Sequence, residues 1–201
     1  MKIIEQSWQW AQKPELPLEI IEEAGRTCYK SEDKITDGSA KKFVKMILKS
    51  GHESVIEHVS ASVHFITNRG VTHELVRHRL CAFSQESTRY VDYQNEMLFI
   101  KPVWWDNSTE DQQINFIASC SAAEIGYNDL RELGWRPEQA REVLPNALKT
   151  EIIMTCNLRE FRHIFKLRTS KAAHPQIRAL MLDCLVGFQA VIPVLFDDIG
   201  D

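Results

Sequence analysis

From His58 to Phe65 polar and apolar residues alternate without a break, with Val59, Ala61, Val63 and Phe65 on one side and His58, Ser60, Ser62 and His64 on the other. A period of two is that of a β-strand with one buried face. Thr150 to Cys156 is also rich in strand formers, and a short strand is expected from Met97 to Ile100, ended by Pro102. Between these lie segments of helical period. Pro17 to Tyr29 has proline in its first turn and acids in its N-terminal half. Ala40 to Lys49 is expected to be capped by Ser39 and ended by Gly51, with Phe43, Met46 and Ile47 on one face. Asn68-Arg69-Gly70 predicts a turn, and the VTHELVRHR that follows a short helix with Val71 and Leu75 inward. A long helix from about Ser108 to Gly134 is expected to use Ile114, Ile117, Ile125 and Leu130 as its core stripe. Further helices start at Pro137, after a cap at Asn157 with Leu158, Phe161, Ile164 and Phe165 inward, and after Pro175. Strands separated by helices of unequal length predict an α+β fold.

With no internal repeat and no linker-like stretch, residues 1–201 read as one domain, long enough to bury a core without staples. Five cysteines, an odd number without a CxxC pair, suggest neither a disulfide framework nor a zinc ribbon and fit a reducing compartment. The N-terminus has no signal-peptide pattern, and the most apolar run, Cys184 to Phe196, is interrupted by Gln189 and Pro193 and falls short of a membrane span. A cytoplasmic protein is expected. The net charge of −4 argues against a nucleic-acid binder. Within that acidic total, six bases between Asn157 and Arg178 face one acid, Glu160, and a second arginine-rich stretch runs from Arg69 to Arg89. Two positive islands on an acidic chain point to small anionic ligands in pockets.

The densest stretch is residues 77–90, RHRLCAFSQESTRY. Arginines suit phosphate because the guanidinium fork is permanently charged and bonds two oxygens at once. On a helix, positions two apart point about 200° from each other, so Arg77 and Arg79 would not share one small ligand. Either one is solvated or the segment stands between two ligands or two subunits. Ser84, Gln85, Glu86, Ser87 and Thr88 add hydroxyls, an amide and backbone donors suited to a phosphate or a base edge. The plainer reading is a basic helix end followed by a polar loop.

Arg77-His78-Arg79, seven residues, Ser87, then Arg89-Tyr90 resembles the signature of the flavin-dependent thymidylate synthases. GHESVIEH (51–58), Gln139-Ala140-Arg141, Val143-Leu144-Pro145, Asn157-Leu158-Arg159, Leu167-Arg168 and Ile177-Arg178 match the same family in order and spacing. The resemblance implies a single domain with a mainly antiparallel twisted sheet packed by helices, assembled as a homotetramer with FAD in clefts shared between subunits. It implies reductive methylation of dUMP to dTMP, with methylenetetrahydrofolate as carbon donor and NADPH as reductant through FAD. By position it places Ser54, Glu57, Arg77, His78, Arg79, Asn157, Arg159 and His163 on FAD, and His52 beside the flavin and folate. It places Glu74, Arg77, Gln85, Glu86, Ser87, Thr88, Arg89, Arg141 and Arg168 on dUMP, with Arg168 and His52 nearest the chemistry. Glu74, Ser84, His163 and Cys28 stand where glutamine, asparagine, an amide and serine are commoner in the family. A dianionic phosphate suits Arg89 and Arg141, and a uracil ring gaining charge suits a fixed cation such as Arg168.

Other readings are weaker. Ser87 lacks a GxSxG elbow and reads as a hydrogen-bonding serine, while Cys81 and Cys156 read as small packed hydrophobes. His52, His58, His64, His73 and His78 lack HExxH spacing and read as structural, so no metal is expected. Trp104-Trp105 reads as packing. The rival function is a catalytically silent nucleotide- or flavin-binding regulatory protein that keeps the arginines but not turnover.

Overall fold

Two nine-residue strands end on asparagine, and in each case that asparagine starts a helix. Asn68 Oδ1 accepts from the Val71 amide (2.8 Å) and Asn157 Oδ1 from the Glu160 amide (2.9 Å), each satisfying a donor that a first helical turn leaves orphaned. The computed structural model describes residues 1–94 and 96–200. Its strands are β1 (Lys2–Ile4), β2 (Ser7–Gln12), β3 (Ser60–Asn68), β4 (Ala82–Gln85), β5 (Leu98–Ile100) and β6 (Lys149–Asn157). Its helices are α1 (Pro17–Tyr29), α2 (Ser39–Ser50), α3 (Arg69–Leu75), α4 (Glu110–Glu132), α5 (Pro137–Ala140), α6 (Leu158–Arg168), α7 (Pro175–Val191) and α8 (Pro193–Phe196). The fold is α+β, with a four-stranded antiparallel sheet in the order β2-β3-β6-β4, packed by helices. A smaller parallel pair, β1 with β5, sets Ile3 opposite Phe99. The described residues form two compact units: Met1–Gln9, His64–Arg77 and Phe83–Ile153 make the first, and Trp10–Val63, His78–Ala82 and the chain from Met154 the second.

In the first unit the core gathers Tyr93, Met97, Phe99, Cys120, Tyr127, Ala140 and Leu148. Here the expected stripe of α4 is corrected: Ile114, Ile117 and Ile125 are 54%, 39% and 58% exposed, and only Leu130 packs on the core, beside Phe116. The helix is turned by polar partners. Glu124 accepts from the Met97 amide and pairs with the N-terminal ammonium, Tyr127 donates to Asp92, and Arg131 forms two hydrogen bonds to Asp92. Cys120, Glu124, Tyr127 and Arg131 recur at helical spacing, so satisfying those groups sets the buried face and leaves the isoleucines outside. The start of α4 is capped by Thr109 and Gln112 in a reciprocal box.

In the second unit α6 buries Leu158, Phe161, Ile164 and Phe165 completely, as its pattern predicts. Phe161 and Phe165 meet Phe188 of α7, and Phe165 also Phe196 of α8, in a cluster of tilted and edge-on rings. Gly25 of α1 lets the Phe43 ring of α2 lie against it, since a Cβ there would come within 2.4 Å of Phe43 Cζ. The same ring carries Arg26 above it, 4.7 Å from its centroid.

Several expectations shift. Ser39 is the first residue of α2, not its cap; its hydroxyl instead donates to Glu22 and to the Thr36 carbonyl. Met46 of α2 is exposed, and Ala40 and Val44 join Phe43 and Ile47 inside. His58 belongs to a 3₁₀ turn, Glu53–His58, ahead of β3, and Ser62 is buried with its hydroxyl 2.7 Å from that of Thr155. The strands β1, β2 and β4 had no counterpart in the pattern. The helix α3 stops at Leu75, so Arg77 and Arg79 lie in the turn beyond it, and the argument from side chains 200° apart on one helix falls away. Among the described residues no helix is long and apolar enough to cross a membrane.

Candidate functional site

Beside its buried stripe, α6 places Arg159, Arg162, His163 and Lys166 at i, i+3, i+4 and i+7, hence close together along the helix. With Glu53, Glu57, Leu80, Asn157 and Glu160 they line a cavity of about 580 Å³ in the second unit. Arg159 pairs with Glu57 and lies 3.8 Å from Glu53. Arg162, almost fully buried, forms two 2.7 Å bonds to Asp198 and one to the Leu195 carbonyl, and its Nε has no hydrogen-bond partner among the described residues. The Arg162 guanidinium holds the Asp198 carboxyl below its ordinary range.

One of the lining residues, Glu160, is also part of a short run of polar groups in which Glu160 and His78 are buried and Arg168 is half-buried. Arg168 Nε donates to His78 Nε2 at 3.1 Å, and His78 Nδ1 stands 3.6 Å from Glu160 Oε1. The His163 ring meets His78 edge-on, 6.0 Å between centroids. Burial, with Arg168 and then His163 adding to it, holds the His78 pKa down at about 4, so the ring is neutral near pH 7. Burial also pushes the Glu160 carboxyl up. The ligand atoms of His78, Glu160 and His163 lie within 4.8 Å of one another. A divalent ion among them would stand beside the fixed charge of Arg168, so the group suits a hydrogen-bond chain better than a cation.

The low pKa of His78 has a measurable consequence. The unfolded ring takes up its proton near 6.5 and the folded ring only near 4, so between these values the unfolded state binds more protons. This contribution is complete above about pH 6.5 and lost as the pH falls toward 4. Urea unfolding of wild type and His78→Asn at several pH values should show an extra loss of stability in that window for wild type alone. Equal slopes would mean that the folded ring is protonated.

The first unit holds most of the predicted nucleotide residues. Arg141 donates to Thr88 Oγ1 (3.3 Å), and Ser87 Oγ accepts from the Arg89 amide (3.2 Å) in a tight turn. Arg89 is exposed, pairs with Glu138 at 3.2 Å and lies over the Tyr90 ring. Gln85 donates to the hydroxyls of Thr72 and Thr150. Glu86 accepts from the Tyr93 hydroxyl (2.6 Å) and pairs with Lys149 (3.0 Å), in a cavity of about 450 Å³ that also includes His64 and Glu151. Glu74 is half-buried on α3.

Thus Glu57, Asn157, Arg159 and His163 share one cavity, with His78 against His163; Thr88 meets Arg141, and Ser87 meets Arg89. His52, Ser54, Arg77 and Arg79 are exposed and line neither cavity; His52 Nδ1 lies 3.4 Å from the Tyr29 hydroxyl. Sequence reasoning missed Glu53, Leu80, Glu160, Arg162 and Lys166 as cavity residues. For the last three the signal was present, since each falls three or four residues from Asn157, Arg159 or His163 on one helix. Packing of cysteine is seen at Cys156, which is buried, its thiol pushed up by a hydrogen bond with Cys81 and by burial. His64 is structural, with Gln9 on one nitrogen and Glu151 on the other. Trp105 packs edge-on against Phe116.

The chain is 37% identical to a protein of Mycobacterium avium (strain 104) named flavin-dependent thymidylate synthase, over 89% of this chain and 78% of that relative. A protein of the same name from Geobacter sulfurreducens is 35% identical over 92% of this chain and 82% of its own length. In fold the chain resembles the crystal structure of a UMP/dUMP methylase, PolB, from Streptomyces cacaoi bound with 5-Br dUMP, with a TM-score of 0.83 at 23% identity, covering 98% of this chain and 96% of that one. Residues 11–194 match the family model described as thymidylate synthase complementing protein, and the chain belongs to that family.

Proposed function

We propose that this chain catalyses the reductive methylation of dUMP to dTMP, with methylenetetrahydrofolate as carbon donor and NADPH as reductant through bound FAD. The observation that carries this reading is the setting of Arg168. Its Nε donates to His78, whose ring burial keeps neutral, so this contact itself brings the guanidinium no counter-charge. A guanidinium suits the N3/O2 edge of a uracil that becomes anionic during methylation, and it favours that state over the neutral ring.

FAD, when bound, supplies the redox chemistry, and the protein supplies position and field. Asn157, Arg159 and His163 line the cavity that would hold it, with Glu57 paired to Arg159, and the unpartnered Arg162 Nε is a donor fit for an anionic or carbonyl group. His52, Ser54, Arg77, His78 and Arg79 are assigned to the same cofactor by position. Arg89 and Arg141, with Ser87 and Thr88, are assigned to the dUMP phosphate, and Glu74, Gln85 and Glu86 to the rest of the nucleotide. Ser87 acts as a ligand: Ser87→Ala should weaken dUMP binding by about 0.5–1.5 kcal/mol while dTMP synthesis persists, as read by titration calorimetry and turnover. Trapping a Ser87–dUMP adduct would contradict that role.

The two units work as one catalytic domain within a homotetramer whose sites are shared, and the protein resides in the cytoplasm. The exposed isoleucines of α4 support association, and five free thiols support a reducing compartment. The test is release of tritium from 5-labelled dUMP by the yellow, FAD-loaded protein. It should require both folate and NADPH. A yellow protein that binds dUMP without release would favour the silent regulatory reading. Sharing is tested by unfolding Arg89→Ala and Arg168→Ala proteins together and reassembling them. If one site draws these arginines from different chains, part of the activity returns. Mixed oligomers without recovery would place both arginines on one chain.

A further inference from the structure

We propose that Cys81 and Cys156 form a redox site: a hydroperoxide closes them to a disulfide beside the α6 cavity, and the closure disturbs the Asn157 end of that cavity. Strands β4 and β6 are neighbours in the antiparallel sheet, and the Glu86 amide donates to the Glu151 carbonyl at 2.8 Å, which sets their register. Counting five residues back from Glu86 and five on from Glu151 brings Cys81, which directly precedes β4, opposite Cys156. Hydrogen-bonded and non-hydrogen-bonded positions alternate along an antiparallel pair. The odd step therefore lands on a non-hydrogen-bonded position, where facing Cα atoms are about 4.5 Å apart and side chains are closest. A disulfide spans Cα atoms about 4.4–6.8 Å apart, so the backbone already stands within its reach. The thiols agree with the register, since that of Cys156 is hydrogen-bonded with Cys81.

The two thiols differ in access. Cys81 is half-buried in a turn where its amide bonds the His78 carbonyl (3.1 Å), whereas Cys156 is 5% exposed. A small oxidant therefore meets Cys81 first. The Cys81 thiolate attacks one peroxide oxygen and the O–O bond breaks; Cys81 becomes a sulfenic acid, and the departing hydroxide takes up the proton that the thiol gave up, forming water. The Cys156 sulfur then attacks the Cys81 sulfur. The S–O bond breaks, the S–S bond forms, and the Cys156 proton leaves with the hydroxyl as a second water. Two thiols lose two electrons, and hydrogen peroxide gains them. The hydrogen bond with Cys81 and burial push the Cys156 thiol up, so it stays protonated until this second step. Leu80 and Asn157, each adjacent to one of the cysteines, both line the cavity, and Asn157 caps α6 through the Glu160 amide. Closure draws the sulfurs from non-bonded contact to about 2.05 Å and pulls on both neighbours. In a reducing compartment such a pair rests as thiols and responds to oxidant.

Full-length protein treated with hydrogen peroxide, alkylated and digested with trypsin without reduction should yield peptide 80–89 joined to peptide 150–159, lighter than their sum by two hydrogens. Dithiothreitol should separate them. Alkylated Cys156 beside a free or singly oxidised Cys81, or a bond from either residue to Cys28 instead, would overturn the site. The effect on a ligand rests on the assignment of FAD to this cavity, while the bond itself does not. FAD affinity should fall about two- to tenfold on closure, the weight of one displaced hydrogen bond, and recover on reduction. Cys81→Ser should form no link and keep its FAD affinity through the same treatment. Unchanged affinity in fully linked wild type, or an equal loss in Cys81→Ser, would overturn the coupling to the cavity. If the reduced protein takes up no FAD, the cofactor assignment fails, and hydrogen exchange of the Glu160 amide reads the coupling in its place. Faster exchange on closure supports it, and an unchanged rate overturns it.

Discussion

Arg168→Ala should lower the rate of dTMP formation by about 10²–10³, the usual cost of removing one preorganised group that faces developing charge. FAD should still be retained, because Asn157, Arg159 and His163, the cavity residues proposed to hold it, are untouched. The loss should fall on kcat more than on dUMP affinity, since the charge meets its match only as the uracil becomes anionic. Arg168→Lys should recover little: an ammonium keeps the charge but not the Nε geometry that docks on His78. Single-turnover flavin absorbance with chemical quench separates the steps. Wild-type turnover in Arg168→Ala would remove this residue from the mechanism.

Local signals were legible at most places where a residue acts on its sequence neighbours, Ser39 at the start of α2 being an exception. Pro17 opens α1 and Asn157 caps α6, and the period-two pattern marks β3. The buried face of α6 followed from its spacing because all four positions are apolar. The buried face of α4 did not, because it is chosen by polar side chains whose partners lie far away: Tyr127 finds Asp92 35 residues back and Glu124 finds the Met97 amide. Isoleucine at 114, 117 and 125 gives a stronger apolar signal than Tyr127, yet burying a satisfied hydroxyl and carboxylate network prevailed within this chain.

The candidate site shows the same division. Arginines and the RHR motif announce themselves as charge, and their order along the chain carries a family resemblance. Glu160 appeared only as the single acid of a basic island, with nothing to say that its carboxylate faces a histidine 82 positions away. Glu86 likewise gave no sign in the sequence of its partners within the fold, Tyr93 and Lys149, which engage both of its oxygens. Where helix α3 stops was equally hidden, since the helical pattern runs past Leu75 and the chain does not.

Phe188→Ala should be the most damaging single truncation in the second unit, at about 3–5 kcal/mol. Phe188 is fully buried, and its ring centroid lies 4.5 Å from Trp10, 4.7 Å from Phe161, 5.0 Å from Phe165 and 5.0 Å from Phe196. Its removal therefore opens a void bordered by four other rings, which cannot all close in at once. At roughly 2–4 °C per kcal/mol for a chain of this size, Tm should fall by about 6–20 °C. The effect reaches the site because Phe161 and Phe165 are the inner face of the helix whose outer residues are Arg159 and His163. Flavin uptake should thus become temperature-sensitive in Phe188→Ala before secondary structure is lost, as followed by visible absorbance and circular dichroism on one sample. Phe188→Leu, which keeps most of the volume, should cost less than half as much. A cost below about 1 kcal/mol for alanine would mean that the surrounding rings collapse into the space, and that α6 is supported from elsewhere.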